Sequence, residues 1–352
     1  MRKDKALAKE LQAIVDGLHD PTISDDPFGC SDGEGERSRR SNDLRRVREK
    51  LSSFVYVSRA RKITKLLVFG TLLPLAALAL LVSTNVPATV ELRLASWGGL
   101  VATAIVFGVV AVAVWWRPSI DKDISYAFYA IPRGWSFSRR NGRATWEKLR
   151  DRFSYFDRGD DDQSITTRIW GFLDEGKQRP LMMFAFHWVD VKTRTRYNSQ
   201  KKKMETYKER IPHDRHGMFV AMPESKARIR VTEVGGSGGL DEPIRLEYGA
   251  LNKAVDVHCR EEDELAVRQF LSPAVQEVML ELSGDLPGMH LDFYPGSVLV
   301  VSSTDFLDGA RRVRLDRDAP RFEEPIRSWI DEVETFRTNV GERLHRIAKY
   351  ND

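Results

Sequence analysis

Two uninterrupted apolar runs, residues 66–83 and 97–116, follow one another with about a dozen residues between them, and they constrain this chain more than any other feature. The second is twenty residues without a charge. The first is eighteen, about 27 Å of helix at 1.5 Å per residue, close to a hydrocarbon core of roughly 30 Å. Apolarity on every face exceeds what a surface helix of a globular domain needs, so the sequence predicts a transmembrane helical hairpin over 66–116. Small residues at Gly98 and Ala102, and at Ala104 and Gly108, have the four-residue spacing that lets two such helices pack closely. Neither run holds an acid, a base or a histidine. The hairpin therefore reads as an anchor with no proton or ion pathway of its own.

The flanks orient it. Between Arg37 and Lys65 there are eleven Lys or Arg against two acids, Asp43 and Glu49, while the loop 84–96 carries only Arg93 and Glu91. The positive-inside rule then places both termini in the cytoplasm and the short loop outside, as a multi-pass protein of the cytoplasmic (inner) membrane. The first 60 residues are too charged for a cleavable signal peptide.

Most of the chain is polar, and the mean hydropathy is −0.39. A net charge of +4 over 352 residues argues against a general nucleic-acid binder. Two cysteines, Cys30 and Cys259, cannot build a disulfide framework, and Cys259 reads as a small buried residue.

Five regions follow. Residues 1–41 read as a short amphipathic helix (Leu7, Leu11, Ile14, Val15, Leu18) and a flexible acidic linker. Residues 42–65 read as a basic juxtamembrane helix. Its Arg45, Arg46, Arg48, Arg59, Arg61, Lys62 and Lys65 either bind anionic lipid headgroups or merely enforce topology; the same electrostatics allows both. The hairpin is the third region. Residues 117–319 read as a cytosolic α+β domain, mainly antiparallel and β-rich. Strands are expected at 167–173, 181–191, 204–210, 218–221, 228–234, 244–251, 254–259, 290–294 and 297–302, helices at 145–156 and 261–284, and an apolar segment or strand start at 126–131. Residues 320–352 form a long amphipathic helix. Its stripe of Phe322, Ile326, Trp329, Val333, Phe336 and Val340 suits either docking on the domain or pairing with a partner helix.

Chemistry is sparse. His213 and His216 stand three apart and are the weak metal candidates, but no Glu follows His213 as in a zincin helix, and the segment reads as a loop between strands. The acidic turn 157–162 lacks the spaced ligands of a calcium loop, and the glycines at 235–239 precede a strand and lack the Lys of a phosphate-binding loop. Residues Arg194, Arg196, Lys201, Lys202 and Lys203 form a basic connection between strands, either a solvated loop or a membrane-facing or partner-binding surface. No catalytic residue and no cofactor is expected.

The order of parts resembles an uncharacterised bacterial membrane family, a domain-of-unknown-function group sometimes labelled galanin-like. The matching pieces are His216 to Phe219 opening a strand, the stretch 254–282 with Val255, Val257, Asp263, Ala266, Leu271 and Pro273, and the closing strand 297–302. The chain departs from the pattern in lacking an aromatic just before Gly217 and in its longer tail helix. The resemblance implies an architecture and supplies no catalytic residues. The expectation is thus a membrane-anchored interaction or scaffold protein, with the lipid bilayer and a protein partner or second copy as its contacts. The alternatives are a metal-dependent enzyme at the membrane surface using His213 and His216, and an accessory subunit of a transporter.

Overall fold

The segment from Leu181 to Phe186 is apolar at every position, and a strand of that kind needs cover on both faces. In the computed structural model of the chain, which describes residues 13–16, 34–53, 120–140, 142–173, 179–198, 202–226, 228–236, 243–308 and 323–351, it lies inside a nine-stranded antiparallel sheet. The elements are α1 (Glu34–Ser53), α2 (Ile120–Ala130), β1 (Ser136–Ser138), α3 (Gly142–Arg152), β2 (Asp161–Phe172), β3 (Pro180–Asn198), β4 (Lys203–Met222), β5 (Ile229–Glu233) and β6 (Pro243–Ile244). They continue with α4 (Leu251–Ala254), β7 (Val255–His258), α5 (Glu264–Phe270), α6 (Pro273–Asp285), β8 (His290–Tyr294), β9 (Gly296–Ser302) and α7 (Glu323–Lys349). The strand order is β1-β2-β3-β4-β9-β8-β5-β7-β6.

Side chains alternate between the two faces. On one, Leu181, Met183, Met218, Val220, Leu291, Phe293, Val298 and Val300 join a core with residues of α2, α6 and α7. On the other, Met182, Phe184, Phe186, Phe219, Leu299 and Val301 meet Trp146 and Leu149 of α3, and then Phe153, Tyr155 and Phe156 around a short 3-10 turn (Ser154–Asp157). The second face changes character across the sheet. Where β2, β3 and β4 place aromatics and β9 places Leu299 and Val301, strands β5, β7 and β8 place Arg230, Thr232, His258, His290 and Asp292, all buried.

Among the described residues no helix is long and apolar enough to cross a membrane. The fold they form is the antiparallel sheet with helices on both faces. This corrects the fold expected from the sequence, an α+β protein organised by a transmembrane hairpin, and with it the multi-pass membrane placement. The two runs at 66–83 and 97–116, with Gly98, Ala102, Ala104 and Gly108, lie outside the described residues. In α2, the last five residues Tyr126, Ala127, Phe128, Tyr129 and Ala130 are all buried, so a stretch of helix apolar on every face is satisfied there by protein.

Smaller differences have equally local causes. The segment at 126–131, expected to begin a strand, is the end of α2, which Pro132 and Gly134 (φ 71°) terminate. The expected strands 204–210 and 218–221 are one strand, β4, so His213 and His216 lie in a strand and not a loop. Pro212 is accommodated within β4 because β3 alone lies beside it at that point, since β9 joins only from His216, and a proline is tolerated at such an edge. Helix α1 starts within the expected linker, and its Leu44 and Val47 enter the main core. In α7, Ile326, Trp329, Val333, Phe336, Val340 and Leu344 are buried against that core. The stripe offered to a partner helix is spent within the chain; Phe322 lies outside the described residues.

Candidate functional sites

The β3–β4 hairpin outruns its neighbours. Its register continues from Leu181 opposite Val220 to Asn198 opposite Lys203. Strand β2 accompanies β3 only as far as Val189, and β9 accompanies β4 only from His216. From Asp190 to Asn198 the two strands therefore project as a ribbon of about 30 Å at roughly 3.4 Å per residue. Its base is clasped. Asp160 accepts a hydrogen bond from the Val191 amide (2.7 Å), and Arg210 donates to Asp161 (2.7 Å) and Asp162 (2.6 Å). Towards the tip, Tyr197 stands opposite Met204 and Tyr207 opposite Arg194, all exposed. Between Lys192 and Arg210 there are eight Lys or Arg and two Glu.

His213 and His216 do not meet. Three apart along a strand, they fall on opposite faces. His213 stacks on Trp188, with ring centroids 5.1 Å apart, and pairs with Asp190 at 3.0 Å. His216 is buried on the face towards α2 and α7, beside Asp305 and Asp308. Burial pushes its imidazole below the ordinary value, while the carboxylates of Asp308, Asp305 and Asp214 pull the other way.

A second polar cluster lies under the 3-10 turn. The His290 ring sits 4.5 Å from that of Tyr155, and neither of its nitrogens makes a hydrogen bond among the described residues. Burial, then the cations Arg158 and Arg230 and the neighbouring His258, hold it well below the usual histidine range. Arg230 donates to Ser154 Oγ and faces Asp292. Burial pushes the Asp292 carboxyl up to about 6, against the pull of Arg230 and Arg228.

Of the basic residues assigned to a lipid surface, Arg59, Arg61, Lys62 and Lys65 lie outside the described residues. Arg46 pairs with Asp43 at 3.3 Å within α1. Arg45 and Arg48 line a groove of about 370 Å³ between α1, α2 and α7, floored by Leu44, Phe128, Ile326 and Ile330, with Arg48 over the Phe128 ring at 5.5 Å. The basic residues Arg194, Arg196 and Lys203 were singled out from sequence as a connection between strands, not as an extended arm, and the Asp305–Asp308 partners of His216 were not singled out at all. The alternation of 191–210 was the available signal for the arm; nothing local signals the second.

No family model, no curated protein and no solved structure matches the chain.

Proposed function

We propose that this chain is a protein-interaction or scaffold module whose β3–β4 arm docks on an acidic surface of a partner protein. The observation that carries this reading is the arm, a two-stranded ribbon extended beyond the sheet with Tyr197, Met204 and Tyr207 exposed along it. A cross-strand pair of an aromatic and a methionine adds at most about 1 kcal/mol to the ribbon and buries nothing in the core, whereas tyrosine, methionine and arginine are enriched where proteins meet. The surplus of Lys and Arg supplies the complementary charge for an acidic surface and speeds encounter. Glu205 and Glu209, opposite Arg196 and Lys192, interrupt the basic track along the ribbon, a pattern that suits a protein with spaced acidic side chains better than a continuous phosphate backbone.

The test is a titration of the full chain with an acidic, aromatic-bearing peptide and, separately, with duplex DNA of equal charge, at low and physiological salt. The peptide is expected to bind, to weaken with salt, and to lose about tenfold in affinity to Tyr197→Ala with Met204→Ala, and again to Lys203→Glu with Lys208→Glu. Equal binding by wild type and variants, or tighter binding of the DNA, overturns the reading.

A further inference from the structure

Independently of the arm, the geometry points to a divalent-metal site formed by His216, Asp305 and Asp308, suited to a Zn²⁺-class cation. Strand β4 presents His216 opposite Ser302 of β9, and the chain leaving β9 turns at once beneath it. That turn is built. The Thr304 amide donates to Ser302 Oγ (3.1 Å), and the Ser303 amide and hydroxyl both donate to the Pro287 carbonyl (2.8 Å each). The next carbonyls are held from the helices, Phe306 by Trp329 Nε1 (2.9 Å) and Leu307 by the Tyr126 hydroxyl (3.2 Å). Donors from α2 and α7 thus fix the segment that carries both aspartates.

One donor atom from each of the three residues lies within 4.8 Å of the others. His216 Nδ1 and Asp305 Oδ1 are 3.4 Å apart. Metal–ligand bonds of about 2.0–2.2 Å put adjacent ligand atoms about 3.0–3.4 Å apart, so that pair is already at coordinating separation. The remaining gap closes with a shift of at most about 1.5 Å.

Two further observations belong to the imidazole and to its surroundings. His216 is 3% exposed, so the ring edge that meets Asp305 through Nδ1 is held in place by the surrounding core and not by solvent. A cation already occupies the edge of the cluster, for Lys122 Nζ stands 3.4 Å from Asp308 Oδ1. Next to it Asp123 is paired with Arg139 at 2.8 Å and is not available to compete. Lys122 at the start of α2 neutralises Asp308 when no metal is bound, and a dication takes over that role as the ammonium swings to solvent. One imidazole nitrogen with two carboxylate oxygens is short of the all-oxygen shell of Ca²⁺ or Mg²⁺ and suits borderline first-row ions, with positions left for water.

The experiment is calorimetric titration of the metal-free full chain with Zn²⁺, with the visible spectrum of Co²⁺ as a second readout of nitrogen and oxygen ligation. One equivalent is expected to bind. Asp305→Asn, at a half-exposed position where folding is not at stake, weakens binding about tenfold or more, His216→Leu does the same, and Lys122→Met tightens it by a few fold. Absence of binding by the folded wild type, or undiminished binding in Asp305→Asn, overturns the assignment.

Discussion

The Asp292 carboxylate stands 3.6 Å from Arg230 Nε, an ion pair longer than a hydrogen bond between two buried side chains on adjacent strands of the sheet. The separation leaves Asp292 incompletely compensated for leaving water, and burial accordingly outweighs the guanidinium in setting its affinity for protons.

The sign of the consequence follows from linkage. With a folded pKa of about 6 against an ordinary value of 3.8, Asp292 binds protons more readily in the folded chain. Its relative stabilisation is present below the ordinary value and is lost as pH rises through about 6. Asp292→Asn is therefore expected to gain on wild type by about 2 kcal/mol between about pH 4.5 and pH 7.5, whatever its stability at either pH alone. Urea unfolding of both proteins at the two pH values measures the difference, and a pH-independent offset contradicts it.

His290 works in the opposite sense. Its folded pKa is depressed, so its contribution is present above about pH 6.5 and is lost as pH falls below that, where the unfolded imidazole takes a proton that the folded one refuses. His290→Phe retains a ring against Tyr155. It is expected to match wild type near neutral pH and to exceed it by a margin that grows as pH falls below the ordinary value. Denaturation midpoints across that range provide the check; parallel curves would show that His290 does not resist protonation.

Trp329 joins α7 to the loop after β9. Its ring lies 5.5 Å from Tyr126 and 5.8 Å from Tyr129, and its Nε1 donates to the Phe306 carbonyl. Trp329→Ala is expected to cost about 3–5 kcal/mol, and Trp329→Phe, which keeps an aromatic but drops the donor, about 1–3 kcal/mol. Equilibrium unfolding orders the three proteins; equal midpoints for wild type and the alanine variant would refute the packing role.

Gly171 in β2 is held to glycine by contact. A β-carbon there would lie 2.1 Å from the Trp135 ring, a large buried group and not the end of a flexible side chain. Gly171→Ala is expected to destabilise by about 1–3 kcal/mol and to shift tryptophan fluorescence, since Trp135 must move. An unchanged emission spectrum and midpoint would count against it.

The strands were legible where the sequence repeats with the period of the sheet. The apolar runs from Leu181 and at Val298–Val301 and the turn at Pro295 and Gly296 all locate real elements, as does the three-and-four spacing from Ile326 to Leu344. Each is a local property read over a few residues. Less was legible where a residue's meaning depends on what lies beside it. The residues between 210 and 218 read as a loop until the continuous pairing of β4 with β3 is known. The helix ending α2 looks like a strand or a membrane-facing segment until the surrounding core is seen.

By itself the sequence determined that the chain carries an antiparallel set of strands, a buried Cys259 and a long amphipathic tail, because periodicity records which faces must leave water. Tertiary structure decided what those faces meet. It spent the tail on the chain's own core, separated His213 from His216 across the sheet, and brought His216 to Asp305 and Asp308, almost ninety residues on. Contacts between residues distant in sequence are set by strand order and register, and no local pattern encodes those.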